Sequence, residues 1–210
     1  MPQQIPGAPG IPRIVQPAVL IIDVQPHFVD AAGEAAAWLL PRLVGLLEMA
    51  DCLRLPLVAT FERPQKNGWL PEELERAWPA HGQRFEKQTY DCCGEPQIAA
   101  ALAALGRRQF LVAGAETDVC VLQSVLSLLE RGYEVFLLED CLFSSEAHAA
   151  PAVARMRVAG AVPCTVKTAY YELMRSVAVL DDPAAAGPGW SALLERLPEP
   201  EALPEWQPPA

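Results

Sequence analysis

Histidine is scarce in this chain. It occurs three times in 210 residues, and no two stand at the i, i+2 or i, i+4 spacing that would turn two imidazoles onto one metal. The expectation is therefore no metal and no cofactor. Positive charge is scarce too, since 16 Lys and Arg against 26 Asp and Glu leave a formal net charge of -10. Binding phosphate needs clustered cations, so neither nucleic acid nor an anionic membrane is an expected partner, and a small-molecule substrate is. No apolar run reaches the length of a membrane span. The opening stretch MPQQIPGAPGIPRIVQP carries no basic n-region, from which a soluble, cytoplasmic protein is expected. Among six cysteines no CxxC occurs. The one close pair is Cys92 and Cys93, and the irregular spacing favours reduced thiols over a disulfide framework.

About half of the residues, 51%, are hydrophobic, enough for one sizeable core. The Pro- and Gly-rich residues 1–17 read as a flexible arm and the Pro-rich residues 181–210 as an extension, leaving 18–180 as the domain. Within it, the short apolar runs AVLIID, PLVAT, RFEK, QFLVAGA, EVFLLED and AVPCTV read as strands. Helical patterns fall at about 33–50, 95–105, 118–131, 146–159 and 168–176. Strands that are apolar throughout are covered on both faces, and their alternation with helices implies right-handed βαβ crossovers. The predicted fold is a three-layer α/β/α arrangement, Rossmann-like, around a six-stranded and predominantly parallel sheet. Ligands in such sheets sit beyond the carboxyl ends of the strands. The apolar helix VCVLQSVLSLL exceeds one amphipathic stripe, which predicts a homo-oligomer or deep burial of that helix.

Three strand ends carry residues capable of chemistry. Cys120 follows the strand ending near Gly114, with Thr117 or Asp118 as a natural N-cap, so its thiol falls in a first helical turn where a thiolate is stabilised. The alternative is a buried small hydrophobe, the usual fate of a free cysteine. Asp23 closes the most apolar strand, where an unpaired charge would be costly; a structural cap or a metal ligand is the alternative. Lys87 closes the run RFEK and could pair with Asp23 or polarise a substrate. A solvated loop lysine is its alternative.

The stretches IIDVQPHF, FEKQTY and GAETDVCV, in this order and spacing, resemble the isochorismatase-like cysteine hydrolases, which include nicotinamidases and N-carbamoylsarcosine amidases. The resemblance spans roughly residues 17 to 175 and implies an Asp23, Lys87 and Cys120 triad. It also implies a cis peptide between Ala115 and Glu116, an oxyanion hole from the N–H groups of Glu116 and Cys120, and a pocket walled by Gln25, Phe28 and Trp69. The implied activity is metal-independent cysteine amidohydrolysis of a small carboxamide or ureido compound through a thioester. Where metal-dependent relatives place an Asp and histidines, this chain reads TFERPQKNGWLPEEL, with Glu62 and no histidine. Glu116 also departs from the small residue often found there. Two other readings stand beside the first: vinyl-ether hydrolysis of the isochorismatase type, and a non-catalytic oligomeric binding protein whose pocket Glu116 obstructs.

Overall fold

In a computed structural model, residues 12–175 are described. The chain runs β1 (Pro17–Ile22), α1 (Pro26–Ala31), α2 (Ala36–Cys52), β2 (Leu57–Glu62), α3 (Pro64–Asn67), α4 (Glu72–Ala77) and β3 (Gln83–Lys87). It continues through α5 (Pro96–Ala104), β4 (Gln109–Gly114), α6 (Leu122–Glu130), β5 (Glu134–Leu142), α7 (Ala150–Val158), β6 (Val162–Cys164) and α8 (Val166–Met174). The six strands form one sheet in the order β3-β2-β1-β4-β5-β6, and every pairing is parallel. All six apolar runs are strands, as their composition predicts. The short helices α1, α3 and α4 carry too few residues for a 3.6-residue period to register in the sequence.

The two faces of the sheet explain why its central strands lack alternation. Val19 and Ile21 of β1, with Leu111 and Ala113 of β4, pack into a core closed by Leu39, Leu43, Leu46 and Leu47 of α2. Ala18, Leu20 and Ile22, with Phe110 and Val112, pack into a second core against Ile98 and Leu102 of α5, Val125 and Leu128 of α6 and Met156 of α7. Odd and even residues of one strand thus meet different helix layers, and both must be apolar.

The end of the N-terminal arm is tied to this body. Ile14 is buried and its N–H donates to Glu172, while the Val15 N–H donates to the Gln109 side chain. Residues 1–11 and the 181–210 extension lie outside the described residues. The helix holding Val125 and Leu128 is deeply seated along one face, with Leu122, Leu126 and Leu129 only half-buried. Among the described residues no helix is long and apolar enough to cross a membrane.

Candidate active site

Four neighbouring strands, β3, β2, β1 and β4, deliver side chains to one point at their carboxyl ends. Asp23 follows β1 in the left-handed region (φ 51), a conformation Asp tolerates better than most residues, and its N–H is anchored on the Thr60 carbonyl at 3.0 Å. Beside it, β4 ends at Gly114 (φ +126), where a Cβ would lie 1.9 Å from the Ile22 carbonyl oxygen. Only glycine permits this approach. The next residue closes the junction, the Ala115 N–H donating to that same oxygen at 2.8 Å. The turn after β4 therefore begins directly against Asp23.

That turn differs from its expected form in two respects. The chain starts its helix with a π turn, Thr117–Val121, before α6, and the N-cap is Glu116, with no side-chain cap. The Thr117 hydroxyl donates to the Phe143 carbonyl at 2.8 Å instead. Secondly, the peptide between Ala115 and Glu116 is trans; no cis peptide occurs among the described residues.

The expected triad converges. Lys87 Nζ forms an ion pair with Asp23 Oδ2 at 2.7 Å and donates to the Thr89 carbonyl oxygen at 2.9 Å and to Cys120 Sγ at 3.5 Å. Thr60 Oγ1 donates to Asp23 Oδ1 at 3.0 Å. The side chains of both Asp23 and Lys87 are 0% exposed. Burial raises the Asp23 carboxyl above its ordinary range, and Lys87 offsets only part of that. Burial pulls the Lys87 ammonium down, but the charges of Asp23, Cys120 and Glu62 outweigh it and leave the pKa raised.

Cys120 behaves otherwise than its helix-start position predicts. Burial pushes the thiol well above its ordinary value, the Asp23 carboxylate adds to this, and Lys87 opposes it. Lost hydration is the largest of these effects and favours the protonated thiol.

Glu62, at the end of β2, is the fourth member. Cys120 Sγ donates to its Oε2 at 3.4 Å. Thr60 and Glu62 share one face of β2 by the two-residue period, and that alternation at the end of the buried strand LVATFE was the signal available in the sequence. The expected pocket residues have other surroundings. The Gln25 amide is spent on backbone, its Oε1 accepting from Glu62 N–H at 2.8 Å and its Nε2 donating to the carbonyls of Glu62 and Gly68. It clamps the end of β2 rather than facing a ligand. Trp69, 44% exposed, packs on Phe61, which points to the opposite face of β2 from Glu62. Phe28 packs against the α2-side core, edge-on to His27.

The Glu116 carboxylate is engaged by the loop after β5. Its Oε2 accepts from the Ser144 hydroxyl at 2.7 Å and from the Ser145 N–H and hydroxyl at 2.8 and 2.9 Å. The Ser144 hydroxyl is also 2.6 Å from Asp118 Oδ1. The carboxylate therefore fastens the loop after β5 to the nucleophile turn. The Glu116 N–H itself makes no hydrogen bond among the described residues.

Ligand atoms of Asp23, Glu62 and Cys120 lie within 4.8 Å of one another, as do those of Asp91, Cys92 and Cys93. In the first group the Lys87 ammonium already occupies the anionic side, and a dication would stand against it. In the second, Asp91 is committed to the Cys93 N–H and the Ser127 hydroxyl. Neither set fits a resident divalent ion.

A doubly covered parallel sheet whose strand ends bring together a thiol, a carboxylate and an ammonium defines a three-layer α/β protein with a hydrolase-type site. The family model described as Isochorismatase domain matches residues 17–168, and the chain belongs to this family. The chain is 31% identical over 163 residues to isochorismatase family protein 1B of Dictyostelium discoideum, covering 75% of this chain and 78% of that protein. Among solved structures, Escherichia coli YcaC, described as an octameric hydrolase of unknown specificity, superimposes with a TM-score of 0.80 at 24% identity, covering 90% of this chain and 92% of that one. Pseudomonas aeruginosa YcaC, with hexane-2,5-diol and covalent acrylamide, gives 0.77 at 26% identity, covering 88% and 91%.

Proposed function

We propose that the protein is a metal-independent cysteine amidohydrolase acting on a small carboxamide or ureido compound. The observation that carries this is the meeting of Asp23, Lys87 and Cys120 within hydrogen-bond reach at the buried strand ends. Asp23, its carboxylate made more basic by burial, takes the thiol proton as sulfur attacks the carbonyl carbon. The negative charge that develops on the carbonyl oxygen is met by the N–H groups of Cys120 and Glu116. The protonated Asp23 then gives its proton to the leaving nitrogen, and ammonia or an amine departs from the thioester. Water, deprotonated by Asp23, hydrolyses that thioester and returns the thiol. Lys87 holds Asp23 and the sulfur in register throughout.

The covalent acrylamide on Pseudomonas aeruginosa YcaC supports a nucleophile on this fold. The half-buried leucines of α6, and a mostly apolar surface depression lined by Ala36, Ala37, Leu40, Pro41 and Val44 of α2 and by Glu73 of α4, support a homo-oligomer, as does the octamer of the Escherichia coli relative. Free thiols throughout fit a reducing cytoplasmic setting. The test is ammonia release from a panel of amides and ureas by the wild type and by Cys120→Ala. Ammonia release that survives the substitution would refute the thioester route and point to another nucleophile for the same bond.

A further inference from the structure

The charges around the sulfur do not cancel. Asp23 and Lys87 neutralise each other at 2.7 Å, which leaves the Glu62 carboxylate, 3.4 Å from Sγ, as an uncompensated negative charge on the nucleophile. Glu62 forms no ion pair among the described residues. Arg63 and Lys66, next along the chain, are exposed, and the carboxylates acting on the sulfur are Asp23 and Glu62. Asp23, Lys87 and Cys120 are at most 1% exposed, whereas Glu62, the thiol's hydrogen-bond acceptor, is partly exposed.

We propose that Glu62 sets the substrate class of this site, admitting neutral or cationic carbonyl compounds that present N–H donors and turning away those with a carboxylate beside the reacting carbon. The inference rests on the thiol-nucleophile reading above. A carbonyl carbon arriving at Sγ must displace the thiol hydrogen bond to Oε2, and the groups on that carbon then face the carboxylate. An amide, ureido or amidino N–H replaces the lost donor. A carboxylate substituent meets a like charge and leaves the acceptor unpaired.

The test compares alkylation of Cys120 by neutral iodoacetamide and by anionic iodoacetate, followed by peptide mass spectrometry, each rate divided by that for free glutathione. Because Glu62 is partly exposed and screened, the expected preference of the wild type for the neutral reagent is on the order of tenfold at low salt, shrinking as salt is added. Glu62→Gln, which keeps shape and removes the charge, should bring the ratio close to one. Glu73→Gln, the same charge change on exposed α4, should leave it as in the wild type. Equal normalised rates in the wild type, or an unchanged ratio in Glu62→Gln, would overturn the inference while leaving the nucleophile in place. Absence of labelling at Cys120 by either reagent would overturn the nucleophile reading itself, and the inference with it.

Discussion

Replacing Lys87 by Met removes the cation but keeps most of the side-chain volume, and it leaves Asp23 as a carboxylate with 0% exposure and only neutral partners, the Thr60 hydroxyl and the Cys120 thiol. Stranding one member of a buried ion pair costs about 3–5 kcal/mol. Against a total stability of about 5–15 kcal/mol for a domain, that is a large and measurable loss. Its pH dependence follows from Asp23. The folded-state pKa of this carboxyl is already raised by burial, and losing Lys87 raises it further. A carboxyl whose folded pKa exceeds its unfolded one contributes stability below the unfolded value and loses it as pH rises through the folded value. The deficit of Lys87→Met should therefore widen between about pH 5 and about pH 8, by about 1.4 kcal/mol for each unit of additional shift. Urea unfolding at the two pH values measures this. The double variant Asp23→Asn, Lys87→Met removes both charges and should be more stable than Lys87→Met alone at the higher pH. A deficit below about 1 kcal/mol at pH 8, or a double variant no more stable than the single one, would refute the account of Asp23 as a buried charge that Lys87 compensates.

The acid limb of kcat/KM should lie above the ordinary carboxylate range, because Asp23 must be ionised to act and burial raises its pKa; a pH–rate profile with a limb at or below the usual aspartate value would contradict this. Gly114→Ala would place a methyl group 1.9 Å from the Ile22 carbonyl oxygen at φ +126, so a loss beyond the about 1–3 kcal/mol of ordinary overpacking is expected in thermal unfolding, together with loss of turnover. Prolonged dialysis against a strong chelator should leave amide hydrolysis unchanged, since Lys87 already fills the cation position beside Asp23 and Cys120; activity lost on chelation and restored by a divalent ion would reverse this prediction.

The inner strands β2, β1, β4 and β5 could be read from composition because burial on both faces forces nearly unbroken apolar runs, and a sequence displays such runs directly, whereas the edge strands β3 and β6 are only partly buried. Asp23 could be singled out for a related reason: a charge closing a buried strand contradicts its surroundings, and that contradiction is local. Lys87 and Cys120 carry no such local contradiction and gained their reading from the order and spacing of FEKQTY and GAETDVCV after IIDVQPHF. What the tertiary structure decided depends on distances between segments far apart in the chain. Glu62 reaches the sulfur only because β2 lies beside β1 in the sheet, and Glu116 turns to Ser144 and Ser145 only because the loop after β5 packs on the nucleophile turn. The thiol pKa shows the same division. Position at a helix start favours the thiolate, whereas the hydration removed by the surrounding fold favours the thiol, and that effect belongs to the assembled site rather than to any stretch of sequence.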